Sequence, residues 1–138
     1  KIGKALTRFN HISSSIQQSS LFDINGSLAL YSLSNNIFTN LAFENLLAES
    51  INKKEDLNVL LFWISKPCIV FGRHQNAWLE CDVKRSREEG INLVRRYSGG
   101  GCVYHDQGNL NISFLTNRLK FDRKTNLNII KSGLEGFI

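Results

Sequence analysis

A chain of 138 residues, 42% hydrophobic and 21% charged, with nine Phe, can build a core of its own and is not disordered throughout. Three cations, Lys1, Lys4 and Arg8, supply much of the formal +5, and the +2 left without them excludes the dense basic face that nucleic acid would call for. Cys68, Cys81 and Cys102 are odd in number and far apart, which excludes a disulfide scaffold and the short spacings of zinc or redox motifs.

The first segment, Lys1 to Phe22, is basic, carries Ser13, Ser14, Ser15 and Ser19, and has no acid before Asp23. That composition resembles a mitochondrial transit segment. Residues 1–33 are accordingly expected to be a transit or disordered segment, and 34–138 the folded part. From Ser34 the pattern turns helical, with Ile37, Leu41, Leu46, Leu47 and Ile51 at roughly helical spacing. Asn52 to Asp56 is a polar break. Val59 to Ile64 is an apolar run of strand length, far too short to cross a membrane. Lys66-Pro67 turns the chain, and Cys68 to Phe71 reads as a buried strand ended by Gly72.

Asp82 is placed to cap a short helix running through Glu89, with Gly90 at its C-terminal end. Leu93 to Tyr97 and Val103 to His105 are strand candidates. Leu110, Ile112 and Phe114 alternate with Asn111 and Ser113 as in a half-buried strand. Thr125 to Ile138 reads as a helix with Leu127, Ile130, Leu134 and Phe137 on one face. Strands that follow one another without an intervening helix favour an α+β fold, a mixed sheet flanked by helices, over a doubly wound parallel one.

The stretch RRYSGGGCVYHDQGN, Arg95 to Asn109, concentrates the chemistry. Its glycines do not fit a P-loop, because no Lys follows Gly101 at the required place. They do not fit a dinucleotide fingerprint either, because a strand and not a helix follows, and Ser98 is not in a nucleophile elbow. What remains is a strand–loop–strand crossing at Gly99, Gly100 and Gly101, whose backbone N–H groups can form a concave anion site. Arg95 and Arg96 precede it on opposite faces, and His105, Asp106 and Asn109 follow with hydrogen-bonding side chains. The combination points to a phosphate-bearing ligand. A second polar cluster, GRHQNAWLEC from Gly72 to Cys81, adds Arg73, Gln75 and Asn76 at a strand end, unless it is a surface turn anchored by Trp78. Cys102 reads as a small buried thiol and not a nucleophile, since His105 three residues on would face the other side of a strand. His74, Cys81, His105 and Asp106 have no metal-ligand spacing, so no metal is expected.

Read together as G-R-x-Q-N-x-W-x-E-C and R-R-x-S-G-G-G-x-V-x-H-D-x-G-N, the two clusters resemble the N-terminal signatures of the lipoate–protein ligase family, nearest its mitochondrial lipoyltransferase branch. The likeness runs from about Ser34 to the end, including the helix of Glu44 and the LNISF strand. It implies the catalytic-domain fold shared with biotin ligases. It also implies transfer of a lipoyl group from lipoyl-AMP, or from lipoate with ATP and Mg²⁺, to a lysine of a lipoyl carrier domain. The carriers would be 2-oxoacid dehydrogenases and the glycine cleavage H protein in the mitochondrial matrix, with neither nucleic acid nor membrane as partner. Residue by residue, it implies lipoyl-AMP contacts from Arg73, Asn76, Arg96, Ser98, Gly99, Gly100, Gly101, Cys102, Val103, Tyr104, His105 and Asn109. Ser98 and His105 match positions lining the lipoyl pocket, and Gly101 to Tyr104 match positions along the nucleotide.

One family feature is missing. The catalytic lysine of the family lies in a Lys-x-Ser-Gly motif after Arg-x-Asp, and Lys120, Lys124 and Lys131 stand in other contexts. The expectation is therefore the front part of such a domain, with no catalytic residue of its own. Two alternatives accompany it: a non-catalytic remnant that binds an acyl-nucleotide, and a ligase for octanoate or biotin.

Overall fold

A computed structural model describes residues 21–24, 27–51, 58–117, 119 and 121–135. In chain order the elements are β1 (Leu21–Ile24), β2 (Ser27–Tyr31), α1 (Ile37–Ile51), β3 (Asn58–Trp63), β4 (Cys68–Phe71), α2 (Ala77–Glu80), α3 (Val83–Glu88), β5 (Asn92–Arg95), β6 (Val103–His105), β7 (Asn111–Leu115) and α4 (Arg123–Glu135). They form two sheets, β1-β2-β3-β7 and β5-β4-β6, each with parallel and antiparallel pairs. The mixed α+β architecture is as expected.

The first sheet begins upstream of its expected start. Leu21–Ile24 and Ser27–Tyr31 pair antiparallel, with Ile24 opposite Ser27, and Leu28 and Leu30 are buried, so the segment expected to be disordered to residue 33 contributes two strands. Asn25-Gly26 between them in the sequence is the two-residue hairpin signal, flanked by the runs LFDI and SLALY. Residues 1–20, where a transit segment was expected, lie outside the described residues.

β2 and β3 run parallel and are joined through α1, which Asn36 starts by accepting from the N–H groups of Phe38 (2.9 Å) and Thr39 (3.2 Å). One face of α1 buries Ile37, Leu41, Leu47 and Ile51 against Leu28, Leu30, Val59, Leu61 and Trp63, the inward residues of β2 and β3. Burial of each such side chain stabilises by about 1.5–3 kcal/mol. Asn40, fully buried in the same helix, accepts from Ser32 Oγ (2.6 Å) and donates to the carbonyls of Ser34 (2.9 Å) and Ile64 (3.1 Å). The ends of β2 and β3 are thereby tied to α1 at the point where the chain leaves the first sheet.

β3 and β4 are consecutive but do not pair. After Trp63 the chain turns through buried Ser65 and Lys66-Pro67, and Cys68 opens the second sheet. There β4 is central, with β5 parallel on one side and β6 antiparallel on the other. β5 ends at Arg95, two residues short of the expected Tyr97. The short helix α3 is capped as expected: Asp82 accepts from Arg85 N–H at 2.9 Å, and Gly90 follows at φ +71°. On α4 the apolar stripe is present but uncovered. Of the expected residues, Leu127 and Leu134 are exposed and Ile130 is half-buried, while Phe137 lies outside the described residues.

Candidate functional site

Because β5 and β6 flank β4, the loop from Arg96 to Cys102 has to cross the end of β4, where Gly72 sits. Gly72 is buried, and a Cβ there would overlap the carbonyl of Gly100, so the crossing loop rests directly on its backbone. Gly100 takes φ +96°, a conformation costly for residues with a side chain. Gly99 and Gly101 are different: nothing lies within 4 Å of where their Cβ atoms would be. Only the middle glycine is required by packing; its two neighbours leave open space.

Arg95 and Arg96 each brace one of the two converging loops. Arg95 Nη1 donates to the carbonyls of Gly72 (2.9 Å), Arg73 (3.3 Å) and Gln75 (2.7 Å), with its guanidinium over the Phe71 ring. Arg96 donates from Nη2 to Gly99 O and Gly101 O, both at 2.8 Å, from Nε to Gly99 O at 3.2 Å, and from Nη1 to Val70 O at 3.2 Å. The loops are also joined to each other, Arg73 N–H donating to Ser98 O at 2.9 Å.

Beside this crossing lies a cavity of about 190 Å³. For scale, an apolar cavity of about 150 Å³ admits a benzene ring. Its walls come from three places: Leu41 and Glu44 on α1, Trp63, Asn111, Ile112 and Ser113 on the first sheet, and Val70, Arg96, Val103 and His105 around the second. His105 sets its ring edge against Trp63, 5.7 Å between centroids, and its Nδ1 is buried without a partner among the described residues. Burial, with a smaller effect of the Arg96 charge, lowers its pKa and favours the neutral imidazole. Burial raises the pKa of Glu44, opposed by the Ser113 hydrogen bond and by Arg96. The charge of Arg96 thus reaches both titratable groups of the cavity.

Of the residues named from the sequence, Arg96, Val103 and His105 line this cavity, and Gly99, Gly100, Gly101, Ser98 and Cys102 form the loop at its edge. Arg73 and Asn76 are exposed on the neighbouring turn, where Asn76 caps α2 by accepting from Trp78 N–H at 3.1 Å. Trp78 anchors nothing, being 71% exposed. Tyr104, between Val103 and His105, is exposed, and Asn109 donates to Asn111 Oδ1 at 3.1 Å. Cys102 is half-buried, and its pKa is raised by burial and by nearby Cys81 and Glu80, the reverse of an activated thiol. Among the described residues no group of three His, Cys, Asp or Glu could hold a metal ion.

Four cavity residues, Glu44, Trp63, Asn111 and Ser113, were not singled out from the sequence. Burial does not alternate along β7: all five residues are half-buried, Asn111, Ile112 and Ser113 all line the cavity, and Ser113 reaches Glu44 on α1.

Comparison with known proteins decides the family. The lipoyl protein ligase A/B catalytic domain matches residues 36–137. The chain belongs to this family. It is 47% identical over 111 residues to the mitochondrial lipoyl amidotransferase LIPT1 of Homo sapiens, a match covering 80% of this chain and 30% of that protein. Among solved structures, P. falciparum LipL1 in complex with lipoate superposes with a TM-score of 0.71 at 36% identity, over 76% of this chain and 34% of that one. A lipoate-protein ligase A bound with ATP gives 0.62 at 30% identity, over 74% and 40%. The chain therefore spans about a third of the length of these relatives.

Proposed function

We propose that this chain forms the acyl-adenylate-binding part of a protein-lipoylating site. In that reading a lipoyl group passes from lipoyl-AMP to a lysine of a lipoyl carrier domain, with the lipoyl domains of 2-oxoacid dehydrogenases and the glycine cleavage H protein as carriers in the mitochondrial matrix. The observation that carries it is the adjacency of two unlike sites: a largely apolar cavity, and a glycine loop braced by Arg96 at its edge. Lipoyl-AMP has the same division, with an apolar tail joined through an acyl phosphate to a nucleoside.

In this arrangement the acyl chain enters between Trp63, Val70, Val103 and Ile112, and the acyl phosphate lies against the loop. Gly99 and Gly101 offer backbone with no side chain in the way. Arg96 is held too firmly by three carbonyls to swing freely, so it acts through its charge and by fixing the loop. Neutral His105 leaves the apolar tail without a second cation beside it. The carrier lysine, as a neutral amine, attacks the acyl carbon. The bond to the phosphate oxygen breaks, AMP leaves, and the amine proton is lost as the amide forms. Positioning and stabilisation of developing negative charge each contribute about a few kcal/mol in such reactions.

Calorimetric titration of a non-hydrolysable lipoyl-AMP analogue tests the reading. Saturable binding that survives excess biotinyl-AMP supports it; a folded chain that binds neither, or prefers the biotinyl compound, overturns it.

A further inference from the structure

Three side chains of the cavity, from three separate elements, form one hydrogen-bonded row. Trp63 Nε1 on β3 donates to Ser113 Oγ on β7 at 3.2 Å, and Ser113 Oγ donates to Glu44 Oε2 on α1 at 2.9 Å. The directions are fixed by chemistry. An indole N–H can only donate and a carboxylate oxygen accepts, so the hydroxyl between them has to accept from one side and donate to the other. Trp63 is 3% exposed, and His105 packs edge-on against its ring. Whatever fixes the indole therefore fixes two walls of the cavity.

We propose that Ser113 is the positioning residue that holds Trp63 and Glu44 at a set separation and thereby limits the length of acyl chain the cavity accepts. The inference rests on the acyl-adenylate reading above. Ser113 need not touch the reacting atoms. Its hydroxyl keeps the indole from turning toward α1 and gives the half-buried Glu44 carboxyl a donor, so the apolar space between Leu41, Trp63 and Val70 keeps a fixed depth. Loss of the hydroxyl leaves an indole N–H and a carboxyl without their shared partner, and both side chains gain freedom to reorient. A longer chain then fits where it did not before.

The test is a length series of non-hydrolysable acyl-adenylates (hexanoyl, octanoyl, decanoyl and lipoyl) titrated into the chain and into Ser113→Ala, Ser113→Cys and Ser113→Thr. Cysteine keeps the shape with a weak hydrogen-bonding group, which guards against a misfolded alanine variant. The unsubstituted chain and Ser113→Thr are expected to share an optimum at octanoyl and lipoyl. Ser113→Ala and Ser113→Cys are expected to move it toward decanoyl, changing the decanoyl-to-octanoyl ratio about tenfold. Substitutions that weaken every analogue equally, or leave the ratio unchanged, overturn the positioning role while the acyl-adenylate reading stands. An unsubstituted chain that binds no member of the series overturns both.

Discussion

Gly72 and Gly100 meet backbone to backbone, the carbonyl of Gly100 occupying the space a Cβ on Gly72 would need. This contact is where the two polar clusters of the sequence, separated by α3 and β5, become one site. Gly72→Ala forces the loop off the end of β4. The expected cost is about 1–3 kcal/mol of stability, as for an overpacked core position, read as a lower urea midpoint. Gly99→Ala and Gly101→Ala meet open space and should change stability by no more than about 0.5 kcal/mol. If the acyl phosphate lies against this loop, both should still weaken the lipoyl-AMP analogue.

Arg96 should be the most sensitive cation of the site. Arg96→Ala removes the donors to Gly99, Gly101 and Val70 together, so the analogue should bind at least about tenfold more weakly by calorimetry. Arg96→Lys cannot span the same three carbonyls and should restore little. Arg85→Ala, which removes an exposed pair with Glu89, is the control and should leave binding unchanged.

Cys102 should behave as a protonated, unreactive thiol at neutral pH. Its raised pKa predicts slow alkylation by iodoacetamide at pH 7, with the rate rising only well into the alkaline range. Cys102→Ala should retain analogue binding within about threefold, a difference of about 0.6 kcal/mol. Fast labelling at pH 7 would contradict the assignment.

Glu44 and His105 should shape stability with pH in different windows. The folded-state pKa of Glu44 is raised above its ordinary 4.5, so its carboxyl favours the folded chain at low pH. That contribution is lost as pH rises from 4.5 through the raised value. The pKa of His105 is lowered from 6.5, so the unfolded chain takes up its proton first, and stability falls as pH drops below 6.5 toward the folded value. Urea unfolding of Glu44→Gln should lose the first dependence, and of His105→Gln the second.

Much of this site can be read in the sequence because it is local. The glycine loop, its arginines and His105 lie within eleven residues, and a loop crossing between strands follows from apolar runs on either side. Cys68–Phe71 and the Asp82 cap are equally local. The missed part is not. Glu44, Trp63 and Ser113 are brought together by a helix, a parallel strand and an antiparallel strand, with Glu44 and Ser113 69 positions apart in the sequence. Period-two alternation marks two faces of β7 but does not say that both are half-buried, with Asn111, Ile112 and Ser113 all at the cavity. The β1–β2 hairpin was hidden for the opposite reason. Its Asn25-Gly26 signal stands between LFDI and SLALY, but the basic, Ser-rich, acid-free composition of residues 1–22 favours extending a transit segment over it.

The central claim is that one ligand occupies the cavity and the glycine loop at once. Nuclear magnetic resonance of the isotopically labelled chain tests it most directly, by following the Trp63 indole and the amides of Gly99, Gly100 and Gly101 as the lipoyl-AMP analogue is added. The account predicts that these signals move together along a single saturation curve, while the exposed Trp78 indole stays in place. Shifts confined to the loop, or to Trp78 and the uncovered face of α4, would contradict it.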